Sequence, residues 1–262
     1  MTSDAQPSGD LARDPAGVLT SALIRRGRQR FTGTLEMDGS PGGSVSMRDG
    51  LVVAASTPGA PGPEPLLLRS GRIGDADWTE AFTAAAPDGR LERELIERGL
   101  LGDAGVQVIT RAAVADALFA MALGGVHTCT AAPGPPAPLL EASPGLDTER
   151  AAREIRRRLD LARSWHQLGL SARSRPQSRR PTDSAAVNPH RGELLARVNG
   201  RRTARDIAFT LGRGLFPVMS DLAILITDGL ITVEPPLATD LTAASARHQE
   251  PDRSQPVQTR HG

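Results

Sequence analysis

Apolar and polar residues alternate with a period of two between Phe31 and Ala55, a pattern that predicts three short β-strands in series. In Gly33 to Asp38 the apolar Leu35 and Met37 alternate with Thr34, Glu36 and Asp38; in Ser44 to Arg48, Val45 and Met47 alternate with Ser44, Ser46 and Arg48. Each of these strands has one face to bury. The third run, Leu51 to Ala55, is apolar on both faces, which predicts a central strand covered by helices. Asp49-Gly50 joins the second strand to the third through two residues, and Asp-Gly supplies the positive φ angles of a type I′ turn. The glycine cluster at 39–43 falls between the first two strands as a hairpin loop, with no following helix to hold a phosphate.

On either side of the strands the period changes to that of a helix. Val18, Leu19, Leu23 and Ile24 give one helical face from Ala16 onward, closed by Arg25, Arg26, Arg28 and Arg30, whose charges suit a helix C-terminus. Pro58, Pro61, Pro63 and Pro65 impose a loop, and Leu66 to Arg69 offer a single helical turn. A helix is predicted from Asp75, whose carboxylate with that of Asp77 suits the N-cap and first turn, to about Ala86, with Trp78 and Phe82 on one stripe. Arg90 to Arg98 repeats the theme through Leu91, Leu95 and Ile96, and ends at Gly99. A long helix then starts near Asp103. Ile109, Ala113, Ala117 and Met121 on one line, with Val114 and Leu118 beside it, predict the helix buried against the sheet. Val126 to Thr130 alternates as a closing strand.

Residues 133–146 are rich in proline and predict an extended, stiff connector. Thr148 is the expected cap of an arginine-rich helix in which Ile155, Leu159, Ala162 and Trp165 or His166 make a narrow stripe, suited to packing on a domain or on its own copy in a homodimer. Residues 171–189 have the polar, basic composition of a flexible linker. His190 to Glu234 then reads helix, helix, helix, strand. Leu194, Leu195 and Val198 mark the first helix; Thr203 with Asp206 forms a capping box for Ala204 to Leu211; Gly212-Arg213-Gly214 breaks the chain before Phe216 to Asp228; and Leu230 to Val233 follows as a strand.

Two resemblances attach to these residues. The order Gly33-Thr34-Leu35, Gly43-Ser44-Val45-Ser46-Met47, Asp49-Gly50-Leu51-Val52-Val53-Ala54-Ala55 resembles the PATAN (PatA N-terminal-like) domain over about Val18 to Ala132. That resemblance implies a protein-interaction module of bacterial regulation with no chemistry of its own. The segment from Val198 to Val233 resembles a winged helix-turn-helix, a module that commonly follows a PATAN-type domain in actinobacterial proteins, some of them named MarR-like regulators. The expected organisation is α+β. Residues 1–15 are without structure, and 16–132 form an α+β domain with a small, mainly antiparallel sheet packed with helices. Residues 133–190 hold the connector, the arginine-rich helix and the linker; 191–236 form a small winged-helix-like α domain; 237–262 are a disordered tail.

All 31 basic residues are arginine, set against 30 acids. The balance is uneven: residues 1–147 carry 12 arginines against 18 acids, 148–190 carry 10 against 4, and 191–262 carry 9 against 8. Arg153, Arg156 and Arg157 on the arginine-rich helix, with Arg201, Arg202, Arg205 and Arg213 around the last three helices, are the candidate contacts to an acidic partner or to nucleic acid. The third helix is a poor reader of bases, because Phe216 to Asp228 contains no basic side chain and carries Asp221 and Asp228. Any DNA affinity is therefore expected to be non-specific.

Catalytic signatures are missing. Without lysine there is no Walker A lysine, and neither G-x-S-x-G nor H-E-x-x-H occurs. Asp75 and Asp77 read as helix-capping residues rather than metal ligands, and His127 with Cys129 as ordinary residues of one strand face. A single cysteine excludes an intrachain disulfide. The first seventeen residues lack an export signal, and no run of about eighteen apolar residues is evident, so a cytoplasmic protein without a membrane partner is expected. The sequence thus leads to a non-catalytic regulatory or signalling protein acting by protein–protein interaction, without cofactor or metal; the alternative is a DNA-binding transcriptional regulator using its C-terminal winged helix.

Overall fold

The alternation between Gly33 and Arg48 sets the sheet. In the computed structural model, which describes residues 16–179 and 188–233, strands β1 (Gly33–Gly39), β2 (Gly43–Arg48), β3 (Leu51–Ser56) and β4 (Val126–Pro133) form one antiparallel sheet in the order β3-β2-β1-β4. The expected N-terminal arm, residues 180–187 of the linker and the tail beyond 233 lie outside the described residues. Leu35, Val45 and Ala55 sit opposite one another across three strands and, with Met37 and Met47, make the buried face. Asp49 (φ 50°) and Gly50 (φ 83°) both take positive φ at the β2–β3 turn, as their sequence requires.

The sheet order corrects one expectation: β3 is an edge strand, not a central one. Its two-sided apolarity has another cause. A bulge between β2 and β3 lets Val52 and Val53 both be buried. The proline-rich segment then seals the open edge, with the Val52 and Leu146 amides donating to each other's carbonyls at 2.9 and 2.7 Å and the Ala142 amide donating to the Val53 carbonyl at 2.8 Å. An uncovered edge would offer a pairing template, and the connector removes it.

Helix α1 (Gly17–Arg28) lies against β4 and buries Leu19, Ala22 and Leu23, with three arginines in its last turn. Helices α2 (Pro63–Leu68), α3 (Asp75–Ala85) and α4 (Leu91–Glu97) close over the first half of α5 (Asp103–Gly124), enclosing a satellite core around Leu67, Trp78, Leu91, Leu95 and Ile109. Gly74, rather than Asp75, is the N-cap of α3, with Asp75 and Asp77 in its first turn. The predicted stripes of α5 are all buried. By length and mean hydropathy α5 could cross a membrane, although Arg111 and Asp116 interrupt its apolar run, and 67% of that stretch is buried inside the fold, against β3, α2, α6 and the last helix.

Helix α6 (Thr148–Gln167) packs on α1 and α5 through Ala152, Ile155, Leu159, Ala162 and Trp165, while His166 is exposed. Its cap is Asp147, which accepts from the Arg150 amide at 2.7 Å; Thr148, expected there, is buried against Gly27. The remainder comprises β5 (Pro176–Ser178), α7 (Pro189–Leu195), α8 (Ala204–Leu211), α9 (Leu215–Thr227) and β6 (Ile231–Val233). Thr203 and Asp206 form the expected capping box at α8. Residues 171–179 are not the free tether their composition suggests, because β5 pairs antiparallel with β6 and the Gly200 amide donates to the Pro176 carbonyl. Apolar burial is continuous from Leu19 through Leu118 and Trp165 to Val218 and Ile231, so the last helices share a core with the sheet and its helices.

Candidate functional site

A charged residue in the middle of a buried helix has to find partners, since an unpaired carboxylate away from water costs several kcal/mol. Asp116 is such a residue: α5 places it between Ala115 and Ala117, and it is only 2% exposed. Its partners come from α9. One carboxylate oxygen accepts from the Leu215 amide and the other from the Phe216 amide, the latter at 2.8 Å. Gly214 is the N-cap of α9 and has no side chain with which to cap, so Asp116 acts as the cap from a helix about a hundred residues earlier in the chain. A β-carbon at Gly214 would stand 3.1 Å from that carboxylate, so glycine also makes room for it.

Arg158 of α6 completes the arrangement. Its guanidinium lies 3.7 Å from Asp116 and donates to Glu154 at 2.8 Å. Burial pushes the Asp116 carboxyl up from its ordinary value, against the opposing pull of the Phe216 and Leu215 amides and of Arg158. Glu154, bonded first by Arg157 and then by Arg158, is held down at about 2. The Phe216 ring packs against the Arg158 guanidinium. It meets Phe119 edge-on at 5.2 Å, Trp165 at 5.3 Å, and the Arg158 guanidinium at 4.6 Å. The N-terminus of α9 is thereby fastened to α5 and α6 by a cap, a ring cluster and a cation–π contact.

The arginines singled out from sequence fall into three groups. The side chains of Arg153 and Arg156 project from α6 and make no hydrogen bond or ion pair among the described residues, whereas Arg157 is tied to Glu154 by two hydrogen bonds of 2.7 and 2.8 Å. Arg201 and Arg202 donate their amides to the Asn199 side chain ahead of α8, and Arg205 covers the Phe209 ring at 5.6 Å. Arg213 lies in the α8–α9 turn and donates to Asp221 at 2.6 Å. They do not form one surface. Sequence reasoning missed Asp116, Arg158 and Phe216; the available signal was a lone carboxylate in a helix otherwise apolar on every side near it.

His127 is exposed on β4, and burial pushes the Cys129 thiol up, the reverse of what an activated nucleophile needs. Among the described residues no group of three or more histidine, cysteine or acidic side chains could hold a metal ion. No family model matches the chain, and no curated protein or solved structure matches it either.

Proposed function

We propose that this is a non-catalytic bacterial regulatory protein that acts by binding other proteins, presenting the outer face of α6 to an acidic partner. Arg150, Arg153 and Arg156 follow one another at three-residue spacing on the solvent side of α6. The guanidiniums of Arg150, Arg153 and Arg156 have no acidic partner among the described residues. Free guanidinium groups on a rigid, packed helix suit carboxylate recognition. The resemblance to the PATAN domain over 18–132 points the same way.

One observation favours a second reading. Helices α8 and α9 cross at 118° over the three-residue turn Gly212-Arg213-Gly214, the geometry of a helix-turn-helix. In that motif, however, the first residues of the second helix touch the bases. Here those residues are Leu215 and Phe216, held against Asp116 and the ring cluster. This fastening is the observation that carries the protein-binding reading over the DNA-binding one.

The test is affinity capture from nuclease-treated bacterial cytoplasm with the wild-type chain and an Arg153→Glu/Arg156→Glu variant, each at low and near-physiological salt. Wild type retains a reproducible protein partner that the variant loses. Identical capture by both chains, or capture that vanishes with nuclease, overturns the assignment of this face.

A further inference from the structure

Where α2 ends, the chain passes close under the α8–α9 turn: a β-carbon at Gly212 would stand 2.7 Å from both the Pro65 carbonyl oxygen and the Arg69 β-carbon. Beside this close approach the two parts of the molecule leave a cleft of about 480 Å³. That size lies within the range of small-molecule sites, roughly 300–1,000 Å³.

Four guanidiniums from separate places in the fold line the cleft: Arg69 and Arg72 at and after the end of α2, Arg158 on α6, and Arg213 in the α8–α9 turn. Only two carboxylates line it with them, Asp116 and Glu193. Asp116 has both oxygens taken by the α9 amides, Arg213 is paired to Asp221 and Arg158 to Glu154. The Arg69 and Arg72 guanidiniums make no hydrogen bond or ion pair among the described residues. Like charges gathered in a concave wall raise the local concentration of anions, and planar guanidiniums bind phosphate or carboxylate through paired hydrogen bonds. Leu66, Ile109, Leu211 and Pro217 add apolar lining. It offers a surface for the uncharged part of an organic ligand.

We infer that this cleft is a binding site for a small organic phosphate, whose phosphate group is taken by Arg69 and Arg72 and whose organic part lies on the apolar lining residues. The ligand would touch the α2 end and the α8–α9 turn together, so its binding stabilises the docked position of α9 by mass action. The inference goes beyond the protein-binding reading and uses arginines on other elements than Arg153 and Arg156.

The experiment is calorimetric titration of the full chain at constant ionic strength with adenosine monophosphate, inorganic phosphate and succinate as probes. The nucleotide binds saturably at one site, tighter than inorganic phosphate and tighter than succinate, and raises the thermal midpoint. Arg69→Ala/Arg72→Ala weakens it about tenfold or more, while Arg153→Ala/Arg156→Ala leaves it unchanged. Absence of saturable nucleotide binding overturns the site, as does binding that survives removal of Arg69 and Arg72 or falls equally in the control variant. Inorganic phosphate or succinate binding as tightly as the nucleotide contradicts the ligand class. A negative titration leaves the capture result for Arg153 and Arg156 standing, so the two readings fail separately.

Discussion

Gly50→Ala will destabilise the protein by about 2–4 kcal/mol, a large part of the stability of an ordinary domain. Two effects combine. At φ 83° an alanine pays the strain of a left-handed backbone. In addition, its β-carbon would stand 2.5 Å from the Gly27 carbonyl oxygen and 3.1 Å from the Arg30 α-carbon, where the end of α1 passes beneath the turn. Neither neighbour is the movable end of a side chain. The Gly50 amide also donates to the Phe31 carbonyl at 3.0 Å, so moving the turn away breaks that bond. Gly99→Ala is the matched control, since Gly99 has φ 69° with nothing within 4 Å of its β-carbon position, and it should lose only the strain, about 1 kcal/mol. Urea unfolding of both variants checks the difference; equal midpoints would show that the β2–β3 turn does not rest on α1.

Asp116→Ala is the second large effect, with an expected loss of about 2–4 kcal/mol. The substitution leaves the Leu215 and Phe216 amides without their acceptor and Arg158 beside an emptied site. Phe216→Ala, which removes the ring held by Phe119, Trp165 and Arg158, should cost about 2–3 kcal/mol. Both changes release the same helix end, so the double variant should lose less than the sum of the two. Hydrogen exchange gives the local readout: the amides of α9's first turn should exchange faster in either variant, while those in the middle of α5 stay protected. Unaltered exchange at Leu215 and Phe216 in Asp116→Ala would mean that the cap does not hold α9.

The local features were legible because short-range rules fix them. Strand alternation, the Asp49-Gly50 turn, the stripes of α5 and α6 and the Thr203 capping box each depend on residues a few positions apart, and each is where the pattern puts it. What the pattern could not give was long-range pairing. The double apolarity of Leu51 to Ala55 has two solutions, a central strand or a bulged edge strand sealed by another segment, and only the position of Leu140 to Leu146 decides between them. Residues 176–178 look like linker because their partner strand lies more than fifty residues later. Asp116 was visible as an anomaly, but its meaning required knowing that Gly214 leaves a helix end uncapped beside it. The candidate arginines were readable as charge and not as a surface: the fold disperses them over α6, the segment before α8, the first turn of α8 and the α8–α9 turn.

The most direct test of the account is whether α9 reads DNA. Full-length protein is titrated with its own promoter region and with a scrambled duplex of the same length, at low and near-physiological salt. With Leu215 and Phe216 fastened to α5 and no basic side chain on α9, the two duplexes should bind equally weakly. Affinity should fall steeply with salt and weaken in Arg153→Glu/Arg156→Glu while staying unchanged in Ser220→Ala. Tight, promoter-selective binding by the wild-type chain that is lost in Ser220→Ala would contradict the account and make α9 a recognition helix.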